Sequence, residues 1–200
     1  MRDIVCVLFE DFETLDLFGP AEVLGRMKDD FRIRYCSLFA GMVSSSQNAR
    51  VVTEPFSGLG GGSHVLLVPG GAGVFKQANE KRFIDELTSL AINAEYILTV
   101  CTGSVLLSRT GVLDGIKATS NKRLFPLALK ESPQVDWVKR ARWVRDGSIY
   151  TSSGVSAGID MTLGFVSDIC GYDAARQQAR EIEYHWNEDP ENDPFADLYE

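Results

Sequence analysis

The chain has 200 residues, 44% of them hydrophobic, and a formal net charge of −8 at pH 7. Eight of its 28 acidic residues fall in 181–200, which holds no Lys or Arg, so the rest of the chain balances twenty acids against twenty bases. That balance argues against nucleic-acid binding, which wants a basic face, and the opening apolar run Ile4–Phe9 is too short for a signal peptide or membrane span.

This length supports one domain over 1–200 with a sizeable core, including an acidic C-terminal segment over 185–200. Ile4–Phe9 reads as a central parallel strand. The spacing of Leu15, Phe18, Ala21 and Leu24 predicts a helix over Thr14–Met27, with Pro20 at or near a start or break. A strand follows over Phe31–Phe39, then one or two short strands within Met42–Val52. Val65–Val68 is a buried strand closed by Pro69-Gly70-Gly71, and Lys81–Asn93 is an amphipathic helix with Asn79 as its N-cap. Tyr96–Val100 is the next strand, with a helix over Thr102–Thr110. Trp137–Arg145 and Ser148–Ser152 form a hairpin around Asp146-Gly147. Helices over Ser156–Cys170 and Asp173–Tyr184 complete the body, and Trp186, Phe195 and Tyr199 tie the acidic tail to it.

This alternation predicts an α/β fold: a doubly wound, flavodoxin-like sandwich around a mostly parallel sheet. Ligands in such folds bind beyond the C-terminal ends of the strands. Glu10-Asp11-Phe12, Pro69-Gly70-Gly71 and Cys101-Thr102-Gly103 all fall at that edge. Cys101 stands at a strand-to-helix turn, where free amides and a helix dipole favour the nucleophilic thiolate; a packed core cysteine is the alternative. Cys6, Cys36 and Cys170 read as small core residues of a cytoplasmic protein. Asp16, set between two leucines, needs a partner if buried, and a carboxyl beside a thiol could share a hydrogen bond with the sulfur; a helix N-cap is its other reading. His64 precedes a strand on the far edge and His185 lies in the acidic tail, so an imidazole partner for Cys101 is poorly supplied. Metal-ligand spacing and dinucleotide or phosphate-loop spacing are both absent.

The sequence resembles the ThiJ/PfpI superfamily, related in fold to class I glutamine amidotransferases. The resemblance is carried by 9–21 (FEDFETLDLFGPA), 68–71 (VPGG), 100–104 (VCTGS), 118–121 (ATSN) and 153–160 (SGVSAGID), with 182–184 and 193–196 after them. Leu15-Asp16 with Gly19-Pro20, and Cys101-Thr102-Gly103, look most like the isocyanide (isonitrile) hydratase branch. The resemblance implies a nucleophile elbow at Cys101, catalytic partners Asp16 and Thr102, and an oxyanion pocket lined by the amides of Gly70, Gly71 and Thr102. It implies a homodimer with a small-molecule substrate and no cofactor; the charge, hydropathy and ligand spacing already point away from nucleic acid, membrane and metal. The activity implied is cysteine-dependent hydration of a small electrophile, isonitrile to N-substituted formamide. A redox or stress-response protein oxidised at Cys101, or a 2-oxoaldehyde glyoxalase or deglycase, are the alternatives. Many superfamily members carry a histidine after the elbow helix where this chain has Ala118-Thr-Ser-Asn121, which weakens readings that need a Cys-His pair.

Overall fold

Strand β1 (Arg2–Leu8) is apolar on both sides from Ile4 onward, and the fold buries it on both. The computed structural model describes residues 1–59 and 64–199. After β1 come α1 (Thr14–Arg26), β2 (Phe31–Ser37), β3 (Gly41–Ser44), β4 (Arg50–Pro55), β5 (His64–Val68), α2 (Val74–Gln77) and α3 (Lys81–Asn93). Then follow β6 (Ala94–Val100), α4 (Gly103–Ser108), β7 (Lys117–Ala118), α5 (Phe125–Glu131) and β8 (Asp136–Trp137). The chain closes with β9 (Trp143–Asp146), β10 (Ile149–Ser152), α6 (Ala157–Cys170) and α7 (Tyr172–Glu181).

Among the described residues the main sheet runs β3-β4-β2-β1-β5-β6-β10-β9. Its interior pairs are parallel; β3 on β4 and β9 on β10 are antiparallel edges. The chain steps from β1 to β2 on one side and from β5 to β6 on the other. Right-handed crossovers in opposite directions put α1 and α3 on opposite faces. Helices α1, α6 and α7 pack together, and Phe165 of α6 meets Tyr96 and Tyr150 edge-on, 5.4 Å between centroids in each case. On α3, Phe83 packs against Phe9 and Phe56 at 6.0 and 5.7 Å. The strand order reverses between β1 and β5, so the crevice beyond their C-terminal ends is where this topology binds ligands. Among the described residues no helix is long and apolar enough to cross a membrane.

Several local expectations are corrected. Pro20 lies inside α1, which runs through it to Arg26: packing against α6 and β2 outweighs the lost bond to the Asp16 carbonyl. Glu80, not Asn79, caps α3, accepting from the Arg82 amide at 3.4 Å, while the Asn79 side chain donates to the Phe75 carbonyl. The hairpin around Gly147 is confined to β9 and β10; Trp137 belongs to β8 and pairs with Ala118 of β7 in a separate two-stranded sheet. Cys6 and Cys36 are core residues as expected, but Cys170 is half-buried at the end of α6.

The tail packs through Trp186 and Asp193, whereas Phe195 and Tyr199 keep 48% and 41% of their surface exposed. Trp186 donates through Nε1 to the Asp160 carbonyl, and the Asn187 amide to Asp160 Oδ1. Asp160 is buried and ion-paired with Arg142 at 2.6 Å, so the tail hangs on a buried charge pair. Glu200 lies outside the described residues.

Candidate active site

β6 ends at Val100 and α4 begins at Gly103, so the chain must reverse within two residues, and Cys101 takes the turn at φ +58°. A left-handed conformation is unfavourable for a side chain with a Cβ and persists only where surrounding bonds impose it. Those bonds are present. The Cys101 amide donates to the carbonyls of Ser152 and Ser153 at 3.3 and 3.1 Å. Its carbonyl accepts from the hydroxyls of Ser104 and Ser120, both at 3.0 Å. The thiol is therefore held at the end of a central strand, buried with 6% exposure.

Three donors converge on the sulfur. The Asn121 side-chain amide stands 3.2 Å from Sγ, and the backbone amides of Thr102 and Val155 also point to it. Val155 supplies its amide from a left-handed turn at φ +42°, just before α6. Gly154 makes room for the contact, since a Cβ there would sit 2.7 Å from Asn121 Nδ2.

Asp16 lies in the first turn of α1 and is fully buried. Its Oδ2 accepts the Gly70 amide at 2.9 Å, while Oδ1 has no hydrogen-bond partner among the described residues. Burial pushes the carboxyl up to about 7, reinforced by the charge of Glu13; the Gly70 bond and the contact with the Cys101 thiol act the other way. Gly70 cannot be replaced without disturbance, because a Cβ there would lie 2.6 Å from Thr102 Oγ1 and 2.9 Å from Asp16 Oδ2. The Thr102 hydroxyl in turn accepts the Gly71 amide at 3.2 Å.

The burial of Cys101 works against the thiolate expected from its turn. It pushes the thiol up to about 12 and the nearby Asp16 carboxyl adds to the rise, against the pull of the Thr102, Asn121 and Val155 donors. Helix α4 has six residues, too short a dipole to overcome desolvation. A neutral thiol beside a carboxyl that titrates near 7 is a pair in which the carboxyl can take the thiol proton as sulfur attacks.

Cys101, Asp16, Thr102, Gly70 and Gly71 thus come together as the sequence suggests. The oxyanion-lining role expected of Gly70 and Gly71 does not fit their bonds, because both amides are engaged, by Asp16 and by Thr102. The donors aimed at the sulfur are instead Thr102, Val155 and Asn121, and the last two carry no sequence signal of that chemistry. Asn121 sits in the segment 118–121 and Val155 in the segment 153–160, both motif stretches, so their positions were signalled although their chemistry was not. Neither histidine joins the site: His64 opens β5 at the end of the strand away from Gly70, and His185 is exposed beyond α7.

A doubly wound α/β sandwich with a strained cysteine elbow beside a buried carboxyl defines the class of protein. Residues 2–168 match the DJ-1/PfpI family, and the chain belongs to it. It is similar to the isonitrile hydratase of Pseudomonas putida, 31% identical over 182 residues, covering 89% of this chain and 76% of that protein. Among solved structures, a ThiJ/PfpI family protein from Pseudomonas syringae superposes with a TM-score of 0.85 at 26% identity, covering 93% of this chain and 76% of that one. Drosophila melanogaster DJ-1beta shares the fold at a TM-score of 0.80 and 20% identity, covering 92% and 99%.

Proposed function

We propose that this protein is a cofactor-free hydratase that converts a small isonitrile to the N-substituted formamide, with Cys101 as nucleophile and Asp16 as proton carrier. The observation that carries the reading is the pairing of the strained, neutral Cys101 thiol with a buried Asp16 carboxyl titrating near 7, with no imidazole beside them. The similarity to an isonitrile hydratase supports this substrate class.

The chemistry balances with these groups and one water. Asp16 takes the thiol proton as sulfur adds to the terminal carbon of R–N≡C, and returns it to that carbon, giving the thioimidate R–N=CH–S–Cys101. Water adds to the same carbon, one proton passing to nitrogen. Collapse breaks the C–S bond, releasing R–NH–CHO and restoring the thiol. Asn121 and the amides of Thr102 and Val155 hold the sulfur while it carries negative charge, at attack and again on departure.

The test is loss of the N≡C stretch of a simple alkyl isonitrile, with formamide followed by NMR. Turnover by wild type and none by Cys101→Ala is expected; normal turnover by that variant, or none by wild type, overturns the reading.

A second reading is a redox role. The same donors around Sγ would also hold the oxygens of a sulfinic acid. Selective addition of two oxygens at Cys101 under mild peroxide, without turnover of isonitriles or of methylglyoxal to lactate, would favour it.

A further inference from the structure

A cavity of about 380 Å3 lies beside the elbow, and its lining includes Asn121 and Val155, two of the three groups that touch the Cys101 sulfur. Its opposite contributors come from the far end of the chain: Phe195 and Tyr199. A larger cavity, about 700 Å3, lies along β9 and α6 beside Trp143, Arg145 and Asp168, and borders none of the groups on the sulfur.

Phe195 is carried by a strap that is anchored in the body, and Tyr199 follows three residues after the last anchor at Ala196. The Pro190 carbonyl accepts the amides of Arg142 and Trp143 at 2.8 and 3.2 Å, and the Asp193 amide donates to the Arg140 carbonyl at 2.7 Å. Asp193 is buried, and its Oδ1 accepts the Phe195 amide at 2.9 Å. Ala196 is fully buried, and its amide bonds back to Asp193. The turn that carries Phe195 is thus fastened on both sides while the ring itself stays partly open.

We infer that Phe195 and Tyr199 form the subsite for the substituent of the electrophile attacked at Cys101, and that this substituent is a small, flat, apolar group such as phenyl. This rests on Cys101 being the nucleophile. The cavity is at the small end of ligand pockets, which limits the group to about one ring. Two aromatic side chains and Val155 in the lining favour an apolar ring; of the charged lining residues Glu13, Lys122 and Arg123, Lys122 spends its ammonium on Thr119 Oγ1 and the Ala141 carbonyl, which leaves one charge of each sign.

The experiment uses N-methylmaleimide and N-phenylmaleimide on the whole chain, read as intact mass, with Cys101→Ala to subtract labelling at Cys170. The thiol adds across the C=C bond, forming C–S with the thiol proton passing to the adjacent carbon, so no leaving group or oxidant is involved. Each rate is divided by that of a free thiol. Phe195→Ala/Tyr199→Ala changes two exposed side chains and leaves the Trp186 and Asp193 anchors intact. The phenyl-to-methyl ratio should fall about tenfold in this variant, with the methyl rate within about twofold of wild type. An unchanged ratio overturns the subsite, and so does a ratio that rises, which would make the rings a barrier. Aryl isonitrile KM should rise in step with kcat unchanged. A fallen maleimide ratio in a protein inert to isonitriles keeps the subsite and removes the hydratase; turnover with an unchanged ratio does the reverse.

Discussion

The Gly70 amide donates to Oδ2 of Asp16 across 2.9 Å, which fixes the carboxyl at the crevice between β1 and β5 and leaves its Oδ1 buried without a hydrogen-bond partner among the described residues. One oxygen is thus held and the other is free to accept a proton. A charged carboxylate is costly to bury, and burial raises the carboxyl to about 7 against the pull of the Gly70 and Cys101 contacts. The same cost makes Asp16 a poor residue for stability and a suitable one for moving a proton near neutral pH.

Asp16→Asn should therefore stabilise the fold at neutral and alkaline pH. The folded carboxyl titrates at about 7 against 3.8 for the ordinary value, so between these the folded state binds more protons than the unfolded one. Stability then falls as pH rises through that window, and the cost is full above about 7 and absent below about 4. The asparagine can still accept the Gly70 amide and carries no charge. Urea unfolding should show a gain on the order of 2–4 kcal/mol at about pH 8, shrinking to nothing near pH 4. An equal effect at both pH values would mean that Asp16 acts through packing.

The alkylation of Cys101 by a small reagent such as iodoacetamide should follow Asp16 rather than the thiol. With the carboxyl as base, the rate rises as Asp16 loses its proton, passes an inflection at about pH 7 and levels off. Asp16→Asn should lose that inflection and react about a hundredfold more slowly at pH 8, its rate climbing only at alkaline pH. A wild-type profile without an inflection near 7 would take the proton-carrier role from Asp16.

Much of this was legible in the sequence because it depended on local patterns. The apolar runs and the Asp146-Gly147 turn placed the strands, and the segments around Asp16, Gly70 and Cys101 all end at one sheet edge once the topology is parallel. What was not legible depended on burial. A turn next to a helix start argues for a thiolate until the thiol is found enclosed beside a carboxyl, and then desolvation decides. Gly70 and Gly71 look like free amides in sequence, but a close approach of α1 and of Thr102 uses them up. Pro20 reads as a helix break because sequence does not show the packing of α1 on α6.

Asn121 and Gly154 should behave as one unit. Asn121→Ala removes the 3.2 Å donor from the sulfur, and a hydrogen bond to a developing charge is worth enough to slow alkylation by about tenfold or more. Gly154→Ala would place a Cβ 2.7 Å from Nδ2 and push the same amide away, with a similar loss. The double variant should then be no slower than either single one, as residues acting through one contact are not additive. Wild-type reactivity in Gly154→Ala would show that the amide finds another route to Sγ.

The strap beside the site depends on a charge pair far from the chemistry. Arg142 bonds Asp160 through Nε and an Nη nitrogen at 2.7 and 2.6 Å, and its other Nη stands 3.8 Å from Asp193. Both acids are buried, and Asp160 also accepts the Asn187 amide that starts the strap. Arg142→Met removes the cation and leaves Asp160 charged in the interior. Breaking a buried pair from one side costs about 3–5 kcal/mol, far more than losing an exposed pair such as Arg140–Asp197. Thermal melts should place Arg142→Met well below wild type and Arg140→Ala close to it. Replacing both partners, Arg142→Met with Asp160→Leu, should recover part of the loss, because Asp160 no longer leaves a charge in the interior and only the weaker 3.8 Å contact with Asp193 stays broken. If the double variant melts no higher than Arg142→Met, the guanidinium acts through its packing, and the strap is held by the Pro190 and Trp186 bonds without the ion pair.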